Sequence, residues 1–468
     1  MFSTGLPRLF PSVNRSSVSN QFGALSALNS GKQQTMKGKK HMKIEKQQFV
    51  RVAAITLAAL TLTTSARADA VTDWNAHWEE VVFLTAQPIP AHARFGAILH
   101  VAIFDAANGI ARKYTPYAVN EAAPPGARQE AAVIEAAYTV LSTLYPSQID
   151  VLNEHLAESL AGIPGAPGKS STIARGREWG RYAAQRILEL RSNDGWSAPP
   201  TYFGSFEPGV WRSIPVSTNA DGTLPAAFAQ NAILTPFAME APGQFRPGPP
   251  YAGTLAEALA STQYAADVNE VKAIGSVNST VRTPEQTELA RLWQAVGAID
   301  ENRAARSVVP EDNKLVDNAR LFALLNMAAC DALIASMDSK FAYGLWRPHH
   351  AIRLADTDGN LETEADPSWT ALILAPRFPE YASNHASITG AFMHVLRSLL
   401  GDEQTFTLSS PNYPSFTWTF ERCSDASAQV NEARIWAGIH FRHGCEVGQA
   451  VGVAVADYAL ENYLLPLH

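Results

Sequence analysis

Cysteine is scarce in this chain: three residues in 468, at positions 330, 423 and 445. No C-x-x-C pair and no zinc-ribbon spacing occurs, so neither a dithiol redox centre nor a cysteine-built zinc site is indicated. The H-E-x-x-H signature of metalloproteases is also missing. Charge is thin, at 17% of residues against 46% hydrophobic. That is an ordinary globular balance, with length for one large or two medium cores. Few segments alternate with period two, and no internal repeat is visible. Beyond the leader there is no run of 18 apolar residues, so no membrane span is expected in the mature chain. Cys330, inside LFALLNMAACDALIASM, reads as a buried thiol. Cys423 and Cys445 could pair in an oxidising compartment, and the sequence leaves that open.

The N-terminus stands apart. MKIEKQQFVRVAAITLAALTLTTSARADA begins at Met42 with Lys43, Lys46 and Arg51, and continues through apolar residues from Val52 to Leu62. It ends in Ala66-Arg67-Ala68. A basic start, a short apolar core and a small-x-small end describe a secretory signal peptide, cleaved after Ala68 or Ala70. The expected location is periplasmic or secreted. Residues 1–41 are polar and read as a start codon placed too early. Without residues 1–68 the chain keeps 27 basic and 43 acidic side chains, a formal charge of −16 instead of −7. So acidic a chain argues against nucleic acid as a partner, and it makes any cationic cluster conspicuous.

After the leader (1–68), an N-terminal helical part is expected over 69–195, a Pro/Gly-rich loop region over 196–253, and a C-terminal helical bundle over 254–468. PAHARFGAILHVAIFDAANGIA and STIARGREWGRYAAQRILELR space their apolar residues by three and four, as amphipathic helices do. Between 196 and 253 that spacing is lost, while Trp196, Tyr202, Phe203, Phe206, Trp211 and Phe245 indicate an ordered loop lying across helices. The expected fold class is all-α: a large helical bundle with a long loop insertion.

Three stretches of the C-terminal half carry chemistry. KFAYGLWRP places Lys340 and Arg347 seven residues apart, two turns of a helix, with no acid between them. FPEYASNHASITGAFMHVL sets Ser383-Asn384-His385 before an apolar helix beginning near Ala386, where free amides favour an anion. Arg434-x5-His440 would share a site if the helix breaks near Gly438, or if Arg434 reaches round on its long stem. Three cations, a hydroxyl, helix-start amides and two histidines suit a tetrahedral oxyanion with a nucleophile and an acid on its axis. His349 and His350 could line a pocket mouth. Trp346 and Phe441 could wall it, although core packing explains them as well. His440, His443 and Glu446 could imitate a divalent-metal site.

K-x6-RP, then A-S-N-H, then R-x5-H is similar to the three-part signature of the vanadium-dependent haloperoxidases and the type-2 phosphatidic acid phosphatases. LHVAIFDAANGI, GVWRSIP, YAADVNEVKAIGSVNSTVRTPEQTELARLW, LWRPHHAIR and AGIHFRHGCEVGQAVG look like the secreted bacterial haloperoxidase-like branch. The resemblance extends over roughly residues 72–460. It implies that Lys340, Arg347, Arg434, Ser383 and the Asn384 amide bind the equatorial oxygens of vanadate. It further implies that His440 coordinates vanadium and that His385 acts as acid–base. Hydrogen peroxide, a halide and a small organic acceptor would then be the partners, and a homo-oligomer is compatible with the sequence. Phosphate would fit the same site, which makes an acid phosphatase with His440 as nucleophile the alternative reading. Asn384 stands where the family has glycine. It keeps the N–H but adds a side chain at a place of close backbone approach, so a non-catalytic oxyanion-binding protein is a third reading.

Overall fold

The computed structural model describes residues 69–467, apart from 86, 166–169, 200–201, 214–223 and 252. The leader expected over 1–68 lies outside the described residues. The first five helices are α1 (Ala70–Thr85), α2 (Ile89–Ala111), α3 (Gln129–Leu144), α4 (Ile149–Ala161) and α5 (Ser170–Leu190). Then come α6 (Leu255–Leu259), α7 (Thr262–Ile274), α8 (Pro284–Ala295), α9 (Ala298–Ser307) and α10 (Leu315–Tyr343). The last four are α11 (Pro348–Arg353), α12 (Asn384–Leu400), α13 (Cys423–Trp436) and α14 (Arg442–Asn462). The all-α expectation holds, with one addition. Phe406–Leu408 (β1) and Trp418–Phe420 (β2) pair antiparallel, Thr407 opposite Thr419. At three residues each, the strands are too short for alternation to register in sequence.

Local chemistry sets the helix ends. Thr283 and Gln286 form a capping box at the start of α8, with Pro284 in the first turn, and Thr254 and Glu257 do the same for α6. The long helix α10 is the axis of the molecule, packing on α2 on one side and on α12 and α14 on the other. Among the described residues it is the one helix long and apolar enough, by length and composition, to cross a membrane. Its most apolar window is 94% buried inside the protein, which is what a helix apolar on every face requires.

Two buried carboxylates fasten loops to this frame. Asp105 on α2 accepts the backbone N–H groups of Tyr117, Ala118 and Val119 at 2.7–2.9 Å. Asp331 on α10 does the same for Phe237, Ala238 and Met239, at 2.7–2.9 Å. The second staple pins the Pro/Gly-rich stretch, whose described part contains one 3-10 turn, Ala229–Ile233. The same stretch reaches the end of α10, where Trp211 N–H donates to Gly344 O (2.7 Å) and Trp346 N–H to Gly209 O (2.8 Å). It therefore flanks the segment that carries Arg347. All three cysteines are free and buried. Cys423 belongs to the main core and Cys445 to a second cluster around Tyr264 and Trp346, so the pairing left open by the sequence does not form.

Candidate oxyanion site

Lys340 and Arg347 come together by a different route from the one their spacing suggests. Helix α10 stops at Tyr343, where Gly344 caps it with φ +61°, a left-handed conformation suited to glycine. Arg347 is then the N-cap of α11, and Pro348 takes its first turn. A helix end followed by a reversal, not a shared helix face, sets the two cations at one site. Both are fully buried. The Lys340 ammonium donates to the carbonyls of Glu380 (2.7 Å) and Ala382, which occupies two of its three N–H groups.

Arg347 donates Nε–H to Phe378 O (2.9 Å) and Nη1–H to Ile439 O (2.8 Å), while Nη2 has no partner. Its Nη1 also lies 2.9 Å from His440 Nε2. A guanidinium has no acceptor, so His440 Nε2 must present its lone pair and the ring proton sits on Nδ1. That proton goes to Glu380 Oε1, 2.7 Å away. The tautomer is thus fixed from both sides.

Arg434 ends α13, and the chain turns at Gly438 (φ +77°) to deliver His440 just ahead of α14. The expected break near Gly438 is there. A Cβ at Gly438 would lie 2.4 Å from Gly275 O, so the turn needs both the dihedral and the absent side chain. Arg434 donates to Trp293 O (3.1 Å) and Gln294 Oε1 (3.3 Å), leaving Nε unpartnered.

Ser383 is the N-cap of α12, which starts at Asn384, two residues before the expected Ala386. Its hydroxyl accepts loosely from Ala386 N–H (3.5 Å) and stands beside the Cys445 thiol. His385 bonds the Val296 backbone through one ring nitrogen, and its buried Nε2 has no partner. The Asn384 side chain is occupied. Ser336 donates to its Oδ1 (3.0 Å), and its Nδ2 meets Met337 Sδ at 3.2 Å. Both partners lie on α10, so the added side chain is held against that helix.

Glu380 escaped the sequence reading. It is fully buried, five residues before His385, and accepts from His440 Nδ1 and from Phe441 N–H (3.2 Å). The available signal was a lone acid between Asp366 and Asp402, flanked by Phe378-Pro379 and Tyr381. Room for it comes from Gly444, where a Cβ would stand 2.4 Å from Oε1 and 2.7 Å from Oε2.

Burial dominates the electrostatics. It pushes the Lys340 pKa well down, with the Arg347 charge adding to the effect, and lowers Arg347 to about 10 and Arg434 to about 9. Burial, and then the neighbouring cations, hold His385 and His440 neutral, well below the usual histidine range. Burial raises Glu380 to about 7 against the pull of Lys340 and Arg347. With all three cations protonated, the cluster carries two more positive charges than Glu380 balances. Free donors at Arg347 Nη2, Arg434 Nε and the third Lys340 N–H fit a compact oxyanion such as vanadate or phosphate. Backbone amides in the first turn of α12 add to that set.

The remaining candidates separate from this cluster. His443 stacks between Tyr251 (4.7 Å) and Tyr381 (5.5 Å), and its Nε2 accepts the Tyr251 N–H at 3.2 Å. It therefore does not converge with His440 and Glu446 on a metal. His350 is buried on α11, edge-on to His349 at 5.2 Å. Trp346 and Phe441 are fully buried around Tyr264, as core packing requires.

Residues 320–465 match the family model of the VCPO second helical-bundle domain. Vanadium chloroperoxidase of Curvularia inaequalis is 32% identical over 149 residues, 26% of this chain and 24% of that protein. The chain thus matches about a quarter of the length of this curated relative. Two solved structures share the fold. The first bacterial vanadium-dependent iodoperoxidase aligns with TM-score 0.68 at 21% identity, over 85% of this chain and 96% of its own. A bacterial vanadium-dependent chloroperoxidase in apo form aligns with TM-score 0.63 at 16% identity, over 80% and 92%.

Proposed function

We propose, from the match of residues 320–465 to the VCPO second helical-bundle domain, that the chain is a vanadium-dependent haloperoxidase, binding vanadate and oxidising halide with hydrogen peroxide. One observation carries the reading: two fully buried guanidinium groups, Arg347 and Arg434, each keep an unpartnered N–H beside buried Lys340. Empty, that arrangement is unfavourable, because buried donors and cations lose hydration without replacement. An oxyanion supplies both partners at once.

Lys340, Arg347 and Arg434 would hold the oxygens of vanadate, helped by Ser383 and the Asn384 amide. His440 Nε2, with its proton fixed on Nδ1 by Glu380, would offer its lone pair to vanadium, with Arg347 Nη1 turning from that nitrogen to the bound anion. Bound vanadate supplies a Lewis acid that activates hydrogen peroxide toward halide. His385, neutral and with Nε2 free, would take a proton from incoming peroxide and return one to the leaving oxygen. A hypohalous-acid equivalent would then pass to a small organic acceptor. The 42–70 pattern supports a periplasmic or secreted setting for this reaction.

A phosphatase is the second reading. A histidine whose Nδ1–H is anchored on a buried carboxylate is also an activated nucleophile toward phosphorus. The binding-only reading rested on the Asn384 side chain crowding the anion. Its bonds to Ser336 and Met337 weaken that ground.

The test uses mature protein freed of phosphate, with and without orthovanadate. Vanadate-dependent halogenation of a dye by peroxide and bromide or iodide is the expected result. Ester hydrolysis inhibited by vanadate would replace the proposal with the phosphatase. Vanadate binding without either turnover would leave a binding protein.

A further inference from the structure

Far from the oxyanion site in sequence, two helices carry the same spacing of potential metal ligands. Helix α1 holds His77 and Glu80, and α4 holds His155 and Glu158, each pair three residues apart and so on one helical face. The pairs meet. The His77 and His155 rings stack with centroids 3.7 Å apart and planes 19° from parallel. Glu80 Oε2 lies 2.8 Å from His155 Nε2, and donor atoms of His77, Glu80 and His155 all fall within 4.8 Å of one another. Glu158 and His77 line one cleft of about 610 Å³, together with Asp73 and Glu130. Among the described residues lining that cleft there is no Lys or Arg.

We propose that His77, Glu80 and His155 form a second, independent site for a divalent transition metal such as zinc. Two imidazoles and a carboxylate are the donor set that zinc, nickel and cobalt share. Packing holds the rings close together: His77 meets buried Trp74 in a T-shaped contact at 5.3 Å, and its face meets His155. One nitrogen of His155, Nδ1, is buried and lacks a partner, so an ion pair with Glu80 leaves the ring only half used. Tetrahedral zinc with bonds near 2.0–2.1 Å wants donors roughly 3.4 Å apart. Closing from 4.8 Å requires a swing of Glu80, which is 48% exposed, and a rotation of the two rings out of their parallel stack so that their in-plane lone pairs converge. Bound metal would tie α1 to α4 across 78 positions of chain and stabilise their contact.

The experiment titrates Zn²⁺ alone into metal-free mature protein by calorimetry, reads Co²⁺ by its visible ligand-field bands, and follows Tm with and without Zn²⁺. One equivalent is expected to bind with a rise in Tm. Affinity should fall at least about tenfold in both His77→Ala and His155→Ala. Glu80→Gln, which keeps the stacked rings and guards against a folding defect, should lose affinity while its metal-free Tm stays near wild type. No binding by the wild type, or equal affinity in the variants, would overturn the proposal. So would a Tm loss in the variants that is the same with and without Zn²⁺, since the pair would then be a packing contact only. Halide oxidation is not a readout here, so this site and the vanadate reading can fail separately.

Discussion

Replacing Glu380 with Gln keeps shape and removes charge at the position that fixes His440. Two effects follow, opposite in sign. Above pH 7, where its carboxyl is ionised, Glu380 is an anion close to the proposed anion site, so losing it should favour phosphate and vanadate alike in an assay at pH 8. Its bond to His440 Nδ1, at 2.7 Å, also makes the opposite nitrogen a stronger donor. That second contribution matters only for a ligand that bonds to Nε2. A charged hydrogen bond is worth about 1.5–3 kcal/mol and a neutral one about 0.5–1.5. The difference of about 1–1.5 kcal/mol corresponds to roughly a tenfold change in affinity. The electrostatic part cancels in a ratio of the two anions. Phosphate affinity should therefore hold or rise in Glu380→Gln, while the preference for vanadate over phosphate falls about tenfold. Competitive calorimetry with the two anions measures that ratio directly. An unchanged preference would refute the argument that Glu380 acts through His440.

Gly444→Ala should reproduce that loss of vanadate preference without touching any binding residue, because a Cβ 2.4 Å from Glu380 Oε1 displaces the carboxylate. It should also cost about 1–3 kcal/mol in urea unfolding from overpacking. Asn384→Gly should lower stability by about 1–2 kcal/mol through loss of the Ser336 bond and the added chain freedom. Its vanadate affinity, read by titration, should stay within about threefold of wild type on the order of a single weak contact. Glu301 gives a pH dependence: burial holds its carboxyl up to about 8, against an ordinary 4.5, despite the Thr389 hydroxyl. Between those values the native state keeps a proton that the unfolded chain has released, so stability falls as pH rises, by up to about 1.4 kcal/mol per unit, and levels off above 8. Urea midpoints at pH 6 and 8 should differ less in Glu301→Gln than in wild type, and equal differences would refute the assignment.

Much of this was legible beforehand, for identifiable reasons. Helices written in three- and four-residue spacing over most of the chain appear as helices, because that spacing is itself the packing requirement. Gly438 offered one of two ways to bring Arg434 and His440 together, a helix break or a long arginine reaching round, and the break is the one present. Ser383 read as a helix start from its side chain alone. Other features needed coordinates. The approach of Lys340 to Arg347 depends on a left-handed Gly344, and the spacing of seven pointed to the wrong cause. Glu380 meets His440 across 60 residues, a long-range pairing that no local pattern encodes. The apolar run of α10 is lost from view when charges are counted strictly, because Asp331 and Lys340 interrupt it while remaining buried.

One segment, residues 378–385, running from a loop into the first turn of α12, carries both the carboxylate that orients His440 and the histidine with the free nitrogen, and its carbonyls at 378, 380 and 382 hold Arg347 and Lys340. Eight consecutive residues therefore travel as one heritable cassette. Recombination that exchanged this octapeptide would replace the settings of both histidines and both cations in a single event. A point change within it would perturb several of them together. Such an exchange would leave the surrounding helices as they are.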